Sequence, residues 1–136
     1  MAQADVKLTK GLQGMGRGLV AEFIIGVVLA TYAAYDSELG AGGQSKLHYI
    51  VFGLHVLIAV TLLIGSGYIL TLALKTKQVA DKQNGWIGFL SVLIALVGGV
   101  VIVAKPDLES LGIVVMSLGF IVALVVYGRW YFQVKK

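Results

Sequence analysis

The chain alternates long apolar runs with short polar interruptions. A membrane-crossing helix needs about 20 mostly apolar residues, and four runs qualify: 18–35, 47–74, 86–104 and 111–132. The first contains Glu22 and is the weakest. The second would be roughly 42 Å long as a helix against a hydrocarbon core of ~30 Å, so it must tilt or protrude. The interruptions are short. Gly40, Gly42 and Gly43 punctuate the first, the second is polar over 75–85, and the third holds Pro106. A proline cannot continue a helix, so Pro106 marks the end of the third run. Residues 1–16 are polar and rich in glycine. They read as a flexible, basic approach to the membrane that can meet anionic headgroups. No secretory signal is evident, and the first run reads as retained. The pattern predicts an all-α membrane protein, a bundle of four transmembrane helices in one polytopic domain.

Composition agrees. Of 136 residues 58% are apolar and 13% charged, against about 45–50% and 25% in a soluble domain. The absence of cysteine excludes disulfides, Cys-ligated zinc and iron–sulfur clusters. The net charge of +4 is gathered in small groups between the runs, which is a topology signal and not a nucleic-acid footprint. Lys7, Lys10 and Arg17, then Lys75, Lys77 and Lys82, then Arg129, Lys135 and Lys136 make three basic segments. The other two linkers have one lysine each, Lys46 and Lys105, beside Asp36, Glu38, Asp107 and Glu109. With four spans all three basic segments fall on one side, which predicts a multi-pass protein of the cell membrane with both termini cytoplasmic. Trp86, Tyr127 and Trp130 would form the inner aromatic belt, and Tyr32, Tyr35 and Tyr49 the outer one.

Two features concern assembly. Each half reads as a helical hairpin with an acidic linker, and Phe52-Gly53 aligns with Leu118-Gly119. That would be a parallel repeat. Small residues recur at helical spacing: Gly18, Gly26 and Ala30 in the first span, Gly88, Ser91, Ala95 and Gly98 in the third, Gly112 and Gly119 in the fourth. In lipid such stripes mark close helix contacts, either within the bundle or with a second subunit. The expected partners are therefore lipid, further copies of the chain or other membrane subunits.

Ionisable groups inside a membrane are costly, so each is a candidate. His48 and His55 are seven residues apart and share one helix face. Imidazole there could ligate haem b, with Met116 at a comparable depth as second ligand and Gly53 and Gly119 leaving room for the macrocycle. Two histidines on one helix cannot bind the same iron, and no histidine lies elsewhere. The alternative for His55 is a hydrogen bond to a neighbouring helix. Glu22 would sit ~6 Å inside the inner end of the first span. There it would pair with Arg129 or Arg17, or serve as a proton or cation site or a subunit anchor. No metalloprotease, P-loop or nucleophile-elbow motif occurs. The leading expectation is a structural or accessory subunit of a membrane complex. The alternatives are electron transfer through a haem at His55, and an oligomeric ion or small-solute channel using Glu22, Ser66, Ser91 and Thr31.

Overall fold

The computed structural model describes the backbone of residues 3–38 and 46–135, and side chains over 6–29, 31, 50–105 and 107–135. Four helices follow one another: α1 (Gln3–Glu38), α2 (Lys46–Lys75), α3 (Val79–Ala104) and α4 (Glu109–Val134). Each contains a segment long and apolar enough to cross a membrane: Val6–Leu29, Ile50–Lys75, Val79–Ala104 and Glu109–Val134. Only 22–28% of each segment is buried inside the bundle. The outward faces carry large apolar side chains on every helix, among them Ile24, Ile64, Val100 and Val125. Outward apolar faces on all four helices suit lipid and not water.

Short connections set the order. α2 stops where Thr76 N–H and Oγ1 both donate to the Ala73 carbonyl, at 3.1 and 2.9 Å. α3 starts after Gln78, whose backbone is extended. α3 ends at Lys105, extended ahead of Pro106 as the residue before a proline tends to be. The segment Pro106–Leu108 then makes one 3₁₀ turn into α4. α3 and α4 share the most extensive interface, and α1 packs on both α2 and α4. The four helices thus form a closed ring in chain order.

The α3/α4 interface is close because glycine is there. A Cβ placed on Gly98 would lie 2.5 Å from Met116 N, and one on Gly119 would lie 2.7 Å from both Ser91 O and Ala95 N. These are backbone-to-backbone contacts, so dispersion acts over a seam that no side chain could enter. Gly53, aligned with Gly119 in the repeat reading, is exposed and has open space around it.

α1 differs from expectation. Residues 3–16 are not a flexible approach; they are the first turns of α1. Leu8, Leu12, Met15 and Leu19 follow the alternating four- and three-residue spacing of a packed helix face and are buried in the core. The described apolar segment of α1, Val6–Leu29, overlaps the run expected from 18 onward. The charges of Lys7, Lys10 and Arg17 had masked this stripe: Lys7, Lys10 and Arg17 are on the outside of the helix.

The aromatic belt needs a second correction. Tyr127 and Trp130 are each 1% exposed and stack on one another inside the bundle. Only Trp86 of that group faces outward. Tyr32, Tyr35 and Tyr49 have side chains outside the described residues.

Candidate functional site

The register of α1 on α2 brings two ionisable groups together. A Cβ on Gly18 would meet Leu62, and one on Gly65 would meet Met15, which fixes an antiparallel pairing. Two turns further along, Glu22 and Gly26 of α1 arrive opposite His55 of α2. Glu22 Oε1 lies 3.0 Å from His55 Nδ1. Gly26 lies beside the ring, where a Cβ would be 4.0 Å from His55 Cε1, an ordinary van der Waals contact. Glu22 is 7% exposed and lies within the candidate membrane-crossing segment Val6–Leu29.

The pair is close but imperfect. Its separation is a hydrogen-bond distance, yet neither Nδ1 nor the second carboxylate oxygen, Glu22 Oε2, has a hydrogen-bond partner of good geometry. The contact is therefore chiefly electrostatic. Oε2 remains a buried acceptor with no donor, an arrangement that costs free energy unless a proton, a water or an ion completes it.

Arg129 does not meet Glu22. Phe120 of α4 stacks on Phe23 of α1, with ring centroids 6.1 Å apart, and this sets the level of Glu22 on α4. Arg129 is roughly two and a half turns, or ~13 Å, further along. Both Arg129 and Arg17 are exposed. The expected salt bridge needed α1 and α4 in a register that brings Glu22 level with Arg129, and the Phe23–Phe120 stack sets a different one.

The haem reading finds little support in the described residues. Gly119 is closed off by Ser91 and Ala95, and Gly53 is on an exposed face, so these glycines do not open a slot for a macrocycle. Met116 Sδ lies against α3, 3.7 Å from where a Cβ on Gly99 would be. The side chains of His48 and Ala30 lie outside the described residues. Among the described residues no group of three or more His, Cys, Asp or Glu could hold a metal ion.

Further polar groups line the interior, and sequence reasoning missed one of them. Asp81, which read as part of a polar linker, lies in the first turn of α3 and is 8% exposed. Trp130 Nε1 donates to its Oδ1 at 2.9 Å, a buried bond that joins the start of α3 to the end of α4. The signal was present, because Asp81 continues the stripe of Gly85, Gly88, Ser91 and Gly98 backward at the same spacing. Ser66 is fully buried, and Tyr127 Oη faces it. Ser66 donates to Leu63 O, however, and Tyr127 Oη makes no hydrogen bond of good geometry. Ser91 and Thr31 likewise donate to carbonyls one turn back on their own helices. Between Glu22 and Ser66 lie Leu19 and Leu62, both buried and apolar. Among the described residues these two polar groups are separate islands.

No family model, curated protein or solved structure matches the chain. The fold and its hydropathy define it as a four-helix bundle of the kind that suits a small integral membrane protein.

Proposed function

We propose that the chain is a multi-pass protein of the cell membrane with both termini cytoplasmic, and that it is a structural or accessory subunit that packs laterally against another membrane helix. The single observation that carries this reading is a groove of about 460 Å³ on the outer side of α1 and α2, lined by Gly11, Gly14, Gly18 and Gly65 with Thr61. Gly14 has open space around it. Gly14 is exposed, and Gly11, Gly18 and Gly65 at the α1/α2 seam keep the floor of the groove shallow, so a second helix has a place for close backbone approach. The orientation is supported by Lys7 and Lys10, by Lys75, Lys77 and Lys82, and by Arg129 and Lys135, which antiparallel packing brings toward one end of the bundle, while Arg17 lies level with Leu62 nearer the middle.

The chain has no cysteine, which makes the test clean. Gly14→Cys in native membranes should form one discrete crosslinked species, either with a second copy or with another subunit. Ile121→Cys, exposed on α4, should not. Gly14→Cys that stays uncrosslinked would remove the lateral partner from this face.

A second reading is favoured by one observation, the unpartnered Oε2 of Glu22. Glu22 and His55 then serve as an intramembrane proton site. The separate polar islands weigh against a pathway through one copy. Proton uptake into proteoliposomes that disappears in Glu22→Gln would support it, and no uptake by the parent protein would end it.

A further inference from the structure

On the outer side of α3 and α4 lies a second groove, of about 400 Å³, and its chemistry differs from that of the first. Arg129, Gln83, Asn84 and Gln133 supply a cation and three amides at one end. Ile87 and Val125 continue it as an apolar trough. The polar end sits beside the start of the α3 span at Val79 and the end of the α4 span at Val134. The trough runs from there toward the middle of the bilayer.

Arg129 has no ion-pair partner among the described residues. The nearby carboxylate of Asp81 is buried and engaged by Trp130. Arginine presents a planar fork of donors that fits phosphate oxygens, and the three amides add donors around the same space. Lys77, Lys82 and Lys135 belong to the same end of the bundle and add to the attraction for anions. A soluble anion would use only the polar end. An amphiphile with an anionic head and an alkyl chain uses both ends.

We propose that this groove holds an anionic phospholipid, with the headgroup phosphate at Arg129 and an acyl chain along Ile87 and Val125. This assignment is independent of the lateral α1/α2 contact.

The test uses the full chain, purified and delipidated in a neutral detergent. Its melting temperature is followed while phosphatidylglycerol, phosphatidylcholine or inorganic phosphate is titrated in. Phosphatidylglycerol should raise the melting temperature, and the other two should not. Arg129→Gln should weaken the apparent affinity for phosphatidylglycerol about fivefold, the scale of one basic residue at an anionic membrane surface. Lys135→Gln should weaken it less. Should Arg129→Gln fail to fold, Asn84→Leu carries the same test and should also lose the preference for phosphatidylglycerol. An equal response to phosphatidylcholine overturns the proposal, as does a full response to inorganic phosphate alone. Undiminished affinity in the folded variants overturns it too.

Discussion

Glu22 and His55 face each other at 3.0 Å between α1 and α2, and each is the other's counterpart in a region where neither has water to fall back on. Removing one member strands the other. The cost is roughly 3–5 kcal/mol for a well-buried pair. His55 keeps some exposure, 21% of its side chain, so the expected loss is nearer the lower figure. Glu22→Gln and His55→Leu should each lower thermal stability in detergent. Glu22→Leu combined with His55→Leu should lose much less than the sum of the two single leucine variants, since no ionisable group is left alone. Strict additivity would remove the pair from the account. Arg129→Gln in lipid-free detergent should change stability by no more than about 0.5 kcal/mol, as expected for a side chain away from any buried network.

The glycines of the α3/α4 seam should separate into three grades. Gly98→Ala drives a methyl group into the backbone of α4, 2.5 Å from Met116 N, and that backbone cannot step aside. Gly88→Ala meets the ring of Tyr127 at 2.5 Å, and a side chain can be removed. Both should destabilise, on the scale of about 1–3 kcal/mol for overpacking. Tyr127→Leu should rescue Gly88→Ala and leave Gly98→Ala unrescued. Gly128→Ala meets nothing within 4 Å and should be neutral or stabilising by about 0.5–1 kcal/mol, the usual gain in a helix interior. Melting curves of the three glycine variants, and of Gly88→Ala and Gly98→Ala each combined with Tyr127→Leu, decide the matter, and equal losses at all three glycines would contradict it.

Trp130→Phe should show what the buried indole contributes. It removes the donor to Asp81 while keeping a large ring beside Tyr127. Hydrogen bonds to charged groups are worth about 1.5–3 kcal/mol, and the stranded carboxylate adds to the loss. Trp130→Phe with Asp81→Leu should recover part of it. A double variant no better than the worse single one would mean that Asp81 is held by something else.

What could be read from the sequence, and what could not, divides along physical lines. Four apolar runs were legible because hydropathy needs no knowledge of neighbours. The end of α3 was legible because Pro106 admits no continuation. The start of α1 was not, because Lys7, Lys10, Arg17 and several glycines lower the local apolar content. The stripe Leu8, Leu12, Met15 and Leu19 was nonetheless present at helical spacing. Glu22 and Arg129 looked like partners because both were read as near the inner ends of their spans, and depth alone does not say which neighbour a side chain meets. The contact with His55 depends on the register of α1 against α2, which is set by Gly18 on Leu62 and Met15 on Gly65. Such pairings are properties of two surfaces and leave no mark on either helix alone. Asp81 was hidden for the opposite reason. Its neighbours Lys82, Gln83 and Asn84 are polar, so a helix carrying one inward carboxylate looked like a loop.

Four helices that cross a bilayer leave the turn between α2 and α3 and the end of α4 on one side, the cytoplasmic side in the orientation proposed, and the turn between α3 and α4 on the other. The absence of cysteine allows that to be measured directly with single-cysteine variants and a membrane-impermeant maleimide. Lys77→Cys, in the turn between α2 and α3, and Lys135→Cys, at the end of α4, should label in inverted membrane vesicles and not in intact cells. Asp107→Cys, in the turn between α3 and α4, should do the reverse. Labelling of Lys77→Cys and Asp107→Cys from the same side would contradict the four-span arrangement.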